Sequence, residues 1–97
     1  MLQELMKMTE IKDVVVVLDE AAQDKAVPKN VRQNIIKAKE ALDNDKLDLE
    51  FRVSSAISIL DEVANDVNLP PYTRTQIWNV VSSLETINAQ FKKENAL

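Results

Sequence analysis

The chain has 97 residues, 45% of them hydrophobic, enough to build a core without a covalent staple, and a formal net charge of −4. It contains no cysteine, histidine or glycine, which excludes disulfides and thiolate chemistry, removes the commonest general base and metal ligand, and rules out glycine-dependent phosphate loops, dinucleotide turns and nucleophile elbows. The acidic balance argues against a generic polyanion binder, and the longest apolar run, Val14 to Leu18, is far short of the ~20 residues a bilayer span needs.

Hydrophobic spacing predicts four helices in chain order. The first covers about residues 2–23, with Leu5, Met8, Ile11, Val15, Leu18 and Ala22 on one face; the Val14–Val17 run is read as helix because helical periodicity flanks it. The second, about 28–43, carries Val31, Ile35, Ala38 and Leu42 after Pro28, a residue tolerated in a first helical turn. Asp43-Asn44-Asp45 supplies a turn in which Asn44 is expected to take the left-handed conformation and Asp45 to cap the next helix. The third helix, about 46–66, offers Val53, Ala56, Leu60 and Val63, and the fourth, about 70–92, offers Ile77, Val80, Val81, Leu84 and Ile87.

Offsetting the sequence by 42 positions places Leu18-Asp19-Glu20 on Leu60-Asp61-Glu62. It also pairs Ala22 with Ala64, Asp24 with Asp66, Pro28 with Pro70, Arg32 with Arg74, Ile35 with Ile77 and Leu42 with Leu84. Several of these identities are polar, so they exceed what shared helix periodicity supplies and point to a duplication. The expected architecture is all-α: a four-helix bundle built from two tandem helix-turn-helix repeats in a single domain, residues 1–97. Repeat 1 spans about 1–43, repeat 2 about 44–92, and 93–97 form a frayed tail.

The pattern Asp24, Val27-Pro28, Val31-Arg32, Ile35 and Leu42 resembles the second half of a HEAT-type repeat, although the second copy has Thr73 in place of the valine and the usual Asp-Pro turn is absent. More specifically, the segment Ala56 to Pro70, AISILDEVANDVNLP, followed by Arg74-Thr75-Gln76-Ile77-Trp78 and Leu84-Glu85, resembles uncharacterised protein family zero-one-four-seven, a set of short all-helical archaeal proteins. The resemblance runs from about the first helix to Ile87. It implies a cytoplasmic archaeal protein of unknown function and brings no assigned catalytic or binding residues.

Several residues carry expectations of their own. Arg32 with Asp24, or else Asp19 or Glu20, and Arg74 with Asp66, or else Asp61 or Glu62, are expected to form structural charge-assisted pairs within each repeat, tying each turn to its helix start. Lys25, Lys29, Arg32 and Lys39 form a basic stripe on helix two that is read as a solvated face, with nucleic-acid binding as the alternative. Asp19, Glu20, Asp61 and Glu62 show no ligand-loop spacing for a cation, and no metal or cofactor is expected. Trp78, at the position of Ile36, is read as a core plug.

Helix four has lost charge relative to helix two: Lys37, Lys39 and Glu40 are replaced by Asn79, Val81 and Ser82. Contact surfaces are depleted in charge and enriched in aromatics. Tyr72, Gln76, Trp78, Asn79, Val81, Ser82 and Ser83 are therefore the candidate interaction surface, with Val16 an extra apolar position on helix one. The expected function is a non-enzymatic interaction module that binds a second copy or another protein, with no membrane partner.

Overall fold

The structure is a computed structural model describing the backbone of residues 10–95 and the side chains of residues 10–91. Four helices follow one another: α1 (Ile11–Gln23), α2 (Lys29–Asp43), α3 (Leu49–Ala64) and α4 (Pro71–Asn95). No strand occurs among the described residues, and the valine run lies inside α1. The prolines behave as their missing N–H requires: Pro28 precedes α2 and Pro71 opens α4. Glu10 is extended (φ −115°, ψ 147°), so α1 begins at Ile11, and the expected helical stretch before Glu10 lies outside the described residues. At the other end α4 continues to Asn95, so residues 93–95 of the expected frayed tail are helical.

Each helix packs on two neighbours, α1 on α2 and α4, and α3 on α2 and α4, with no contact across the diagonals. The short connections make consecutive helices antiparallel, so the four form a closed up-and-down ring. The turns at 24–28 and 65–70 lie at one end of the bundle, and the turn at 44–48 lies at the other. Every buried residue of the first copy has a buried equivalent 42 positions on. The pairs are Val14 and Ala56, Leu18 and Leu60, Ala21 and Val63, Val27 and Leu69, Val31 and Thr73, Ile35 and Ile77, Ala38 and Val80, and Leu42 and Leu84. Thr73 thus occupies an apolar position of the scaffold, and its Oγ1 has no hydrogen-bond partner.

All three turns use one device. Asp24 Oδ1 accepts from Ala26 N at 2.9 Å, Asn44 Oδ1 from Lys46 N at 3.2 Å, and Asp66 Oδ1 from Asn68 N at 2.8 Å. A tight backbone turn accompanies each, closed by Val27 N, Leu47 N and Leu69 N donating to the carbonyls of Asp24, Asn44 and Asp66. These are Asx turns, in which a short polar side chain replaces a backbone acceptor. They dispense with left-handed residues: no positive φ occurs among the described residues, and Asn44 sits at φ −81°. The expected left-handed Asn44 is therefore corrected, as is capping by Asp45. The residue before α3 is Asp48, and α3 starts at Leu49 because the Asx turn consumes Asn44 to Leu47.

Candidate interaction surface

Arg74 fixes the turn that launches α4. Arg74 Nη1 donates to the carbonyl of Ala64, and Nη2 donates to the carbonyls of Asp66 at 3.0 Å and Leu69 at 3.2 Å. The expected carboxylate pair with Asp66 is thereby corrected. The side chain of Asp66 is engaged with the Asn68 amide, and the guanidinium satisfies main-chain carbonyls at the end of α3 and in the turn, groups that need donors. Arg32 does not reproduce this: it forms no ion pair with Asp24 among the described residues, and its buried Nε has no partner. A third arginine, Arg52, donates from Nε to the Leu47 carbonyl at 2.8 Å. It stands eight residues after Asn44, as Arg32 does after Asp24 and Arg74 after Asp66. The 42-residue offset hides it, because that offset aligns Arg52 with Glu10; comparing turn with turn reveals it.

The basic stripe on α2 is broken up by the fold. Lys39 Nζ lies 2.7 Å from Asp19 Oδ1, an ion pair between α1 and α2, while Gln23 Nε2 donates to the other oxygen of Asp19 at 2.9 Å. The hydrogen bond to Asp19 raises the Lys39 pKa above the ordinary lysine value, against a smaller desolvation effect. Arg32 is half-buried, so Lys25 and Lys29 are the stripe's exposed members. Among the described residues no group of three acidic side chains is placed to hold a metal ion, and no helix is long and apolar enough to cross a membrane.

The candidate surface on α4 divides. Val81 is 8% exposed and belongs to the core, so it drops out of the outward face. Trp78 is not a core plug: it is 56% exposed, just as Ile36 at the equivalent position is 40% exposed, so the duplication preserved the orientation while the side chain grew. Tyr72 is 74% exposed. Asn79 and Ser82 are exposed; Gln76 and Ser83 are half-buried.

Helix geometry assigns these to two flanks. Trp78, Glu85 and Ala89 recur at spacings of seven and four, and the latter two line a groove of about 340 Å³ between α3 and α4, with Ser54, Ile57 and Asn88. Tyr72, Gln76, Asn79 and Ser83 follow the other flank, toward Gln90, which lines a cleft shared with Ile11 of α1. In the first groove Asn88 Nδ2 lies 3.5 Å from Ser54 Oγ, and Asn88 Oδ1 is buried without a partner. Between Pro71 and Phe91 the charged residues are Arg74, spent on the turn, and Glu85. The neighbouring face of α3 adds Phe51, Ser54 and Ser58, exposed and uncharged, before reaching the exposed carboxylates Asp61 and Glu62, whereas the outward positions of α1 and α2 include Lys12, Glu20, Lys29, Lys37 and Glu40.

The fold and surface define a small all-α protein, a closed four-helix bundle with one charge-poor side. The chain belongs to the uncharacterised protein family UPF0147, whose family model matches residues 1–87. A UPF0147 protein of Methanocaldococcus jannaschii is 47% identical over 77 residues, covering 79% of this chain and 83% of the relative. One from Pyrococcus furiosus is 39% identical, covering 90% of this chain and 99% of the relative. The crystal structure of a protein of unknown function, MMP1188, matches with a TM-score of 0.77 at 41% identity, over 84% of this chain and 97% of that one. A UPF0147 protein from Thermoplasma acidophilum matches with a TM-score of 0.74 at 39% identity, over 78% and 89% of the two chains. The all-helical fold and the family are thus established together, and the family is one of unknown function.

Proposed function

We propose that this protein is a non-enzymatic helical interaction module that docks another protein surface on α4. The observation that carries the reading is Trp78, more than half exposed on a helix face whose one free charge between Pro71 and Phe91 is Glu85. Leaving a large aromatic in water forgoes burial that such side chains gain in cores and interfaces, and aromatic anchors on charge-depleted surfaces dominate protein–protein binding energy. Among the described residues no constellation of nucleophile, base and orienter supports catalysis. The nucleic-acid alternative is weakened by the diversion of Lys39 to Asp19.

The test is site-specific photo-crosslinking in the native host. A photoreactive residue at Thr75, exposed on α4, is expected to give a covalent protein adduct, whereas one at Gln33, exposed on α2, is expected to give none. Nucleic-acid adducts from Gln33 with no protein adduct from Thr75 would overturn the reading.

A further inference from the structure

We infer that the occupant of the α4 face is a second copy of this chain, packed across a two-fold axis that passes beside Ser82. The inference rests on the reading of α4 as a docking face and names its partner. Its basis is the distribution of bulk along the helix. Trp78 stands N-terminal to Ser82, while the groove at Glu85 and Ala89 stands C-terminal to it on the same flank. Such a face is complementary to itself when two copies run antiparallel, because the indole of each then opposes the groove of the other, as an isologous contact requires.

With Ser82 on the axis, Thr75 faces Ala89 of the second copy, and Trp78 faces the stretch from Glu85 to Ala89 that shares its flank. The groove at Ser54, Ile57, Glu85, Asn88 and Ala89 lies on the same flank as Trp78, so each indole is presented to the groove of the other copy. The indole N–H is a donor that needs an acceptor when buried. The exposed Glu85 carboxylate supplies one on that groove.

The available area suffices. Pro71 to Phe91 spans ~31 Å at ~1.5 Å per residue, and adding α3 at an interaxial distance of ~8–10 Å gives a slab ~20 Å wide. Two such slabs bury about 1,200 Å², the lower edge of stable interfaces, whereas α4 alone falls short of it. Phe51, Ser54 and Ser58 extend the slab on α3 with uncharged surface, and the exposed carboxylates Asp61 and Glu62 mark its edge at the C-terminal end of that helix.

Three readouts test the pairing. Trp78 is the chain's one tryptophan, so its emission reports burial of this residue directly. In a concentration series the emission is expected to shift to the blue together with a monomer-to-dimer transition in sedimentation. Trp78→Ala is expected to raise the dissociation constant at least ~10-fold while leaving far-UV circular dichroism unchanged.

The natural chain lacks cysteine, so introduced thiols are unambiguous. Helices in contact at ~8–10 Å place facing Cα atoms ~4–5 Å apart, within disulfide reach. Ser82→Cys is expected to crosslink with itself under mild oxidation, and Thr75→Cys is expected to crosslink with Ala89→Cys when the two are mixed but not with itself. A protein that stays monomeric throughout the series overturns the inference, and so does a dimer in which Ser82→Cys gives no crosslink. A monomer whose Thr75 photoprobe still captures a different protein overturns self-pairing and leaves the docking reading standing. Loss of both overturns both.

Discussion

Lys39 Nζ donates to Asp19 Oδ1 at 2.7 Å across α1 and α2, and 42 residues on the same two positions hold Val81 and Asp61, with Val81 turned into the core. One scaffold position thus serves as a snorkelling lysine in one copy and as core in the other. A lysine at a helix boundary lays its stem on apolar surface and carries its ammonium outward, while a valine there closes over the core.

The ion pair makes stability depend on alkaline pH. The Lys39 pKa is raised above 10.5 in the folded state, so its contribution is complete below 10.5 and is lost as pH rises through the folded value. Urea midpoints measured between pH 9 and 12 are expected to fall more for the natural chain than for Lys39→Arg, which stays charged throughout. Equal slopes would show that the pair contributes nothing.

Val81→Lys is expected to destabilise the fold by about 3 kcal/mol or more, because a charge would enter a core position with no partner. The reading is a lowered denaturation midpoint. A variant as stable as the natural chain would mean that the lysine reaches water as Lys39 does.

The two equivalent arginines are expected to differ. Arg74→Ala removes donors from three carbonyls and should lower unfolding free energy by about 2–4 kcal/mol, whereas Arg32→Ala, which removes no hydrogen bond, should lower it by less than about 1 kcal/mol. Equilibrium urea unfolding of both variants checks the contrast.

Asn44→Gly discriminates between turn types. At a left-handed position glycine is neutral or better, but Asn44 has φ −81° and its side chain accepts from Lys46 N. The substitution is expected to lower stability by about 1–2 kcal/mol, through the lost acceptor and the greater freedom of the unfolded chain. A thermal midpoint unchanged from that of the natural chain would refute this account of the turn.

The helices and most of the core were legible because periodicity and an ungapped repeat carry them, and Leu18, Ile35, Leu60 and Ile77 are all buried where their spacing put them. Trp78 was misplaced although its equivalent Ile36 was identified, since residue type was weighed above position. The direction of Val81 was not legible: a boundary position accepts either character, and the neighbouring helix decides. Nor was the acceptor of Arg74, because residue types reveal carboxylates but not which carbonyls a turn leaves unpaired.

The packing of α1 against α4 closes the ring, and it also sets an order of events during synthesis. The first three helices can pair as they emerge, since each contacts the one before it. The α4 flank of α1 has to wait until the chain has been extended from Gln23 to about Asn95, roughly 4–14 s at ~5–20 residues per second. Once α3 is complete at Ala64, the nascent protein is an open three-helix layer with an apolar edge on α1 and another on α3, and the last helix is the one that seals both.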